Sequence, residues 1–432
     1  MPEQFRPPNF IVVLCDDLGY SDIGPLGGRI PTPALDRMAA EGLVGTDYYA
    51  PANICTPSRA GLLTGRYPVR TGLGYEVILQ GDDRCLPLSE KTIADALNPD
   101  YISGIFGKWH LGHLGPRWLP THHGFDVFFG IPYSHDMLPL DVFEADAATG
   151  AIASAPADFT SLQQQFYTHA ERFIEQHRDR PFFCELALSA PHLPEYPFGE
   201  FAGTSDAGPY GDVVREIDSI VGRLLGTVRR LGIERDTVVI FTSDNGPWYE
   251  GSSTPLRDRK GGTAYDGGVR VPFIAWAPGR IPPGTRTNAI ISGIDLLPTF
   301  CAMAGVPLPA GVELDGLDVS RVLTDGAPSP HDEVLLFDNE DVVGLRTRRW
   351  KYVTHTYYRS FRVNMERGGY RELYDVVRDV TESYSVAERH PDVAAEMQAR
   401  IQRARERFAP FKLGVPPYIQ ELRRKGQHKF QD

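Results

Sequence analysis

The run FIVVLC at residues 10–15 is followed at once by Asp16 and Asp17. An unbroken apolar run bounded by turn residues, without polar alternation, predicts a strand buried on both faces, as parallel sheets require. YISGIF (101–106), FFCELAL (182–188) and TVVIF (237–241) repeat the pattern. Between them, PALDRMAAEG (33–42), DFTSLQQQFYTHAERFIEQH (158–177) and DVVREIDSIVGRLLGTVRRLG (212–232) have helical spacing, the last stopping at Gly232. Alternation of this kind predicts an α/β fold with a largely parallel central sheet sandwiched by helices. After about residue 325 the texture changes: DEVLLFD (332–338), DVVGLRTRRWKYVTH (341–355) and YYRSFRV (357–363) read as short antiparallel strands, and PDVAAEMQARIQRARERFAPF (391–411) as a closing helix. The expected organisation is an α/β domain over 1–325 and a smaller C-terminal α+β subdomain over 326–432. Gly326–His331, with Pro328 and Pro330, forms the joint, and the polar tail beyond Pro416 is expected to be extended or disordered.

Composition bounds the partners. A hydrophobic content of 42% with 23% charged residues is that of a globular protein. The net charge of −12 argues against nucleic acid and anionic membranes, which repel an acidic surface, but leaves room for a small anion in a locally positive pocket. No apolar run is long enough for a membrane span, and MPEQFRPPNF lacks the features of a signal peptide, so a cytoplasmic location is expected. Nothing in the sequence specifies an oligomeric state. Cys15, Cys55, Cys85, Cys184 and Cys301 show no disulfide spacing; Cys15, Cys184 and Cys301 sit in apolar runs and read as buried small hydrophobes.

Ligands of open α/β sheets bind beyond the carboxyl ends of the strands. Just past the predicted strands come Asp16 and Asp17, then Lys108 and His110 in GKWHLG, then His192 in LSAPH, then Asp244 and Asn245 in TSDNG. Each alone is compatible with an ordinary turn or cap. Together, Asp16, Asp17 and Asp244 would repel one another unless a cation neutralised them, and carboxylates with an amide suit a hard divalent ion, Ca²⁺ or alternatively Mg²⁺. In NICTPSRAGLLTGRYP (53–68), Pro57 fits the first turn of a helix, which puts Cys55 at a helix N-terminus with Arg59 one turn later. That placement favours negative charge on residue 55, and by itself it points slightly more to a reactive or merely structural thiol beside a helix cap.

CTPSR followed by AGLLTGR (55–66) resembles the signature of the type I sulfatases of the alkaline-phosphatase-like superfamily. DDLGYSDIG (16–24), GKWHLG (107–112), GIPYSHD (130–136), TSDNG (242–246) and ELYDVVRDVTE (372–382) follow in family order, and GIPYSHD resembles the arylsulfatase A and G branch. The resemblance implies that Cys55 is converted by the formylglycine-generating enzyme to Cα-formylglycine. It implies Asp16, Asp17, Asp244, Asn245 and modified Cys55 as metal ligands, with Arg59 and Lys108 holding the formylglycine. It further implies His110 in sulfate release, His192 near the leaving-group oxygen, and Ser134 and Lys260 as sulfate contacts. KGGTAYDGG (260–268) is one residue longer than the family's K-G-T-T-Y-E-G-G.

The implied reaction is hydrolysis of a small aryl or sugar sulfate to an alcohol and inorganic sulfate. A phosphomonoester or phosphonate hydrolase of the same superfamily, and a non-catalytic sulfate binder with an unmodified Cys55, are the alternatives. His135, Trp248 and Tyr249 are weaker candidates for the pocket mouth.

Overall fold

Phe10, Val12 and Leu14 face one side of the strand Asn9–Asp16 and Ile11, Val13 and Cys15 the other, and both sets are fully buried. This two-sided burial is why the run lacks polar alternation. The computed structural model describes residues 6–358 and 361–426. Five parallel strands form the centre of a ten-stranded sheet, in the order Thr237–Ser243, Asn9–Asp16, Phe182–Pro191, Ile102–Lys108 and Val127–Ile131. Antiparallel pairings extend it at both ends: Phe273–Trp276 beside Thr237–Ser243, and Asp141–Asp146 with Ala151–Pro156 beyond Val127–Ile131. Gly107, at φ +129, permits the closest approach of neighbouring strands, because a Cβ there would collide with the Ala187 carbonyl.

Helices cover both faces. Pro33–Glu41, Leu162–His177 and Gly208–Arg230 pack Leu35, Phe166 and Ile217 onto the Ile11 side. Cys55–Thr64 and Leu296–Ala304 pack Leu62, Leu63 and Phe300 onto the Phe10 side. A separate four-stranded antiparallel sheet, ordered Val334–Asp338, Asp341–Arg346, Trp350–Val353 and Glu372–Asp375, carries Leu335, Phe337, Leu345 and Leu373. Against them the helix Pro391–Phe408 sets Met397, Ile401 and Phe408. The expected YYRSFRV strand divides between the paired strands His355–Tyr358 and Phe361–Asn364, and its residues 359–360 lie outside the described residues.

The tail corrects one expectation. Pro417–Arg424 is a helix, anchored by buried Ile419 and by the Tyr418 hydroxyl, which donates to the Gln80 carbonyl at 2.7 Å. Among the described residues no helix is long and apolar enough to cross a membrane.

Candidate active site

The strand ends predicted from sequence converge. One ligand atom from each of Asp16, Asp17, Cys55 and Asp244 lies within 4.8 Å of the others, and a second such group joins Asp17, Cys55 and His192. Cys55 is the first residue of the helix Cys55–Thr64, which Gly65 ends in the left-handed conformation at φ +66. The whole helix is buried, so the CTPSR segment acts as an internal bracket rather than a surface cap. The Thr56 hydroxyl donates to the His110 carbonyl at 2.9 Å, the Ser58 hydroxyl donates to the Asp244 carbonyl, and Arg59 Nε donates to Asp244 Oδ2 at 2.8 Å. Arg59 Nη1 reaches the Lys108 carbonyl at 2.8 Å. One helical turn thus fixes two strand ends around position 55. Sequence reasoning assigns roles to Cys55 and Arg59 and misses those of Thr56 and Ser58, although both lie within the same motif.

The electrostatics are severe. Lys108 Nζ, with a fully buried side chain, sits 2.6 Å from Asp16 Oδ2. Lys260 Nζ is 2.7 Å from Asp17 Oδ2, and Arg59 Nη2 is 2.8 Å from Asp244 Oδ2. Burial pushes Asp16 up, but Lys108, His192 and Arg59 outweigh it and hold the carboxyl well below its usual range. At Asp244 burial wins over the pull of Arg59, with the charge of Asp16 adding to the rise. Burial also raises the Cys55 thiol well above its ordinary value, against Lys108 and Lys260, so the sulfur is held protonated and faces Asp16 Oδ1 at 3.4 Å. Asp17 and His110 both adopt left-handed backbone, at φ 66 and φ 58, conformations that non-glycine residues hold only where their surroundings enforce them.

A divalent cation fits this donor set. Asn245 Nδ2 donates to Asp17 Oδ1 at 2.7 Å, while Asn245 Oδ1 is buried without a hydrogen-bond partner among the described residues. An orphan buried carbonyl oxygen beside converging carboxylates is what a hard, oxygen-seeking ion satisfies.

The two histidines differ. His110 Nε2 lies 3.0 Å from the Ile78 carbonyl, which can only accept, so that nitrogen carries the proton and buried Nδ1 is left as an acceptor without a partner among the described residues. Burial, reinforced by Lys108 and Arg59, lowers its basicity well below the histidine norm and keeps the ring neutral. His192 instead donates from Nδ1 to the Leu193 carbonyl at 2.6 Å and turns Nε2 toward Asp17 Oδ2 at 3.6 Å and Ser134 Oγ at 3.4 Å. Its side chain is 11% exposed and that of Lys260 13%, whereas those of Asp16, Lys108 and Asp244 are sealed. The centre therefore opens to solvent on the side of His192 and Lys260.

The longer glycine-rich stretch does not displace Lys260. Gly261, at φ +69, turns the chain, and its N–H donates to the Asn53 carbonyl at 2.9 Å. Asn53 Nδ2 in return donates to the carbonyls of Gly262 and, at 3.2 Å, Thr263. Asn53, two residues before Cys55, thereby ties the lysine loop to the helix start. Its sequence signal is only its proximity to Cys55.

Comparison with known proteins identifies the family. The Sulfatase family profile matches residues 8–306, and that of the N-sulphoglucosamine sulphohydrolase C-terminal region matches 260–407. Human arylsulfatase A is 41% identical over 383 residues, covering 81% of this chain and 75% of that protein. Human arylsulfatase G is 36% identical over 408 residues, covering 81% of this chain and 76% of its own length. The crystal structure of the PsFucS1 sulfatase from Pseudoalteromonas sp. superposes with a TM-score of 0.87 at 29% identity, covering 96% of this chain and 92% of that one. Members of this family generally use a formylglycine and a divalent metal, and the buried acidic cluster lies where the strand ends meet. With the profile spanning most of the chain and a relative 41% identical over 81% of it, the chain belongs to the sulfatase family and is a sulfuric ester hydrolase.

Proposed function

We propose that this sulfatase acts on small aryl or sugar sulfates through a formylglycine made from Cys55 by the formylglycine-generating enzyme, with Ca²⁺ held by Asp16, Asp17, Asp244 and Asn245. The observation that carries this reading is the convergence of the three carboxylates and position 55 within 4.8 Å, beside the orphan Asn245 Oδ1. When present, the formylglycine hydrate supplies one hydroxyl to attack sulfur and a second to expel sulfate, and the cation supplies Lewis-acid stabilisation of the sulfate oxygens.

The chain's own residues account for the rest. Lys108 and Arg59 place fixed positive charge beside residue 55 in a water-poor site, where it stabilises the anion far more than in bulk solvent. Lys260, at the open edge, offers an ammonium to a sulfate oxygen on the side from which substrate enters. His192, with Nδ1–H committed to Leu193, presents Nε2 within the group formed with Asp17 and Cys55, where it stands to hand a proton to the departing alcohol. His110 presents its free Nδ1 as the base that withdraws a proton during sulfate release. Ser134 is buried 3.4 Å from His192 and orients that ring or a sulfate oxygen. The raised thiol basicity of Cys55 weighs against a thiolate nucleophile and supports the precursor role.

Turnover of 4-nitrophenyl sulfate against 4-nitrophenyl phosphate tests the reaction class; phosphate turnover dominating by orders of magnitude overturns it. Mass spectrometry of the Cys55 peptide after co-expression with the converting enzyme tests the nucleophile. A mass loss corresponding to thiol-to-aldehyde conversion is expected, and an unmodified thiol in active protein refutes the mechanism.

A further inference from the structure

The loop following Asn245 carries chemistry that sulfate hydrolysis does not itself need. Trp248 and Tyr249 stand 38% and 69% exposed, only a few residues beyond the buried Asp244–Asn245 pair. Their rings meet edge to face with centroids 5.0 Å apart. The Arg259 guanidinium lies over the Tyr249 ring at 4.5 Å and donates to the Trp248 carbonyl at 3.4 Å.

These side chains ride on a pinned loop. The Lys260 N–H donates to the Pro247 carbonyl at 3.0 Å, which fixes the aromatic pair to the backbone of the residue whose ammonium faces Asp17. At the other end, the Ser252 N–H donates to Asp22 Oδ1 at 2.8 Å and the Ser21 N–H donates to the Ser252 carbonyl at 3.0 Å. Arg259 makes no ion pair among the described residues, although Asp258 and Glu250 are near it in sequence. A rigid aromatic edge next to an unpaired guanidinium suits a ring with an anionic substituent: the ring packs on the aromatic side chains and the anion takes the fork of the arginine.

We propose that Trp248, Tyr249 and Arg259 form a subsite for the alcohol half of the substrate, and that this half is a ring, sugar or aryl, bearing a second anionic group in addition to the scissile sulfate. The inference rests on the functional reading above, because it takes the scissile sulfate to lie between Lys260, His192 and position 55. With the sulfate so placed, the ring attached to its ester oxygen leaves through the opening at His192 and Lys260, and the hydrogen bond from the Lys260 N–H to the Pro247 carbonyl holds the loop at the Lys260 side of it.

The test compares kcat/KM for paired probes: 4-nitrophenyl sulfate against a carboxylated aryl sulfate, and a monosulfated hexosamine against its disulfated counterpart. Wild-type protein is expected to prefer the doubly anionic member of at least one pair, and the pair concerned tells aryl from sugar. Arg259→Gln is expected to reduce that preference ratio about tenfold, mainly through KM, and Arg259→Lys to restore part of it. Trp248→Ala with Tyr249→Ala is expected to raise KM for both members of the preferred pair. Equal losses on both members in Arg259→Gln, or no preference in the wild type while 4-nitrophenyl sulfate is hydrolysed, overturns the subsite. Failure of the wild type to hydrolyse any sulfate ester overturns the underlying functional reading, and the subsite with it.

Discussion

Two buried clusters in this molecule carry the same formal charges and serve different ends. At the strand ends, Asp16, Asp17 and Asp244 meet Arg59, Lys108 and Lys260. Where the central domain meets the C-terminal sheet, Asp47, Asp266 and Glu382 meet Arg270, Arg346 and Lys351. In the second cluster Lys351 lies 2.5 Å from Asp266 and 2.7 Å from Glu382 with all three side chains sealed, and the Tyr49 hydroxyl adds a donor to Asp266 at 3.1 Å. Its carboxylates are each matched to a cation on another element, and among the described residues they do not converge into a group that could hold a metal ion. The first cluster gathers its oxygens at one point, leaves the Asn245 carbonyl oxygen unpartnered, and opens at His192 and Lys260. Charge pairing is therefore common to a structural seam and a catalytic centre. Convergence and access to solvent tell them apart.

Asp17→Asn gives the largest expected effect. Asparagine keeps the shape and tolerates φ 66, but removes a charge from the converging set. Turnover of 4-nitrophenyl sulfate should fall at least roughly 10³-fold, about 4 kcal/mol of transition-state stabilisation, while the denaturant midpoint of metal-free protein falls only modestly, because the partner Lys260 stands at the open edge and reaches water. A fully active variant would remove the carboxylate cluster from the mechanism.

Lys351→Met inverts the pattern. Deleting the cation leaves Asp266 and Glu382 buried without their partner, and loss of one member of a buried pair lowers stability by about 3–5 kcal/mol. Urea unfolding should show that loss, while kcat per folded molecule stays within about tenfold of wild type, well short of the Asp17→Asn loss. A stable variant with abolished turnover would make the seam part of the active site.

The two clusters are unequally legible in the sequence, for a physical reason. The strand-end residues follow continuous apolar runs, and in an open parallel sheet the carboxyl ends all lie on one edge, so the sequence alone places Asp16, Lys108, His192 and Asp244 together. Asp47, Asp266, Arg346 and Glu382 follow no common local pattern, and only the docking of one sheet against another domain brings them together. The ELYDVVRDVTE motif is visible, but its use of Glu382 to bind Lys351 and the Asp266 N–H depends on that docking. The tail helix escapes sequence reasoning because Ile419 is the one buried residue in an otherwise polar PYIQELRR.

Glu185 separates the clusters more finely, because it lies buried in the central strand with no ion pair among the described residues. Burial pushes its carboxyl up to about 7, with only a partial opposing pull from Arg59. A folded-state value raised above the unfolded one means that the native state holds the proton longer. The stabilising contribution is then complete below about pH 4.5 and is lost as the pH rises toward 7. Glu185→Gln removes that titration, so its stability relative to wild type should improve by the order of 1–3 kcal/mol between pH 4.5 and pH 8. Urea midpoints of both proteins at the two pH values check this; a constant difference would mean that Glu185 is already ionised in the fold.

The smallest effect comes from a pair with the same chemistry and a different setting. Arg349 lies 2.8 Å from Asp375 beside the C-terminal sheet, but its side chain is 51% exposed. Water solvates both partners once the contact is broken, and the entropy of holding a long side chain offsets much of the attraction. Arg349→Ala should therefore lower stability by less than about 1 kcal/mol, and by less still in high salt. A loss comparable to that of Lys351→Met would mean that proximity of opposite charges, rather than their removal from water, sets the strength of the seam. A negligible loss would leave burial as the property shared by seam and active site, and convergence of oxygens as the one that distinguishes them.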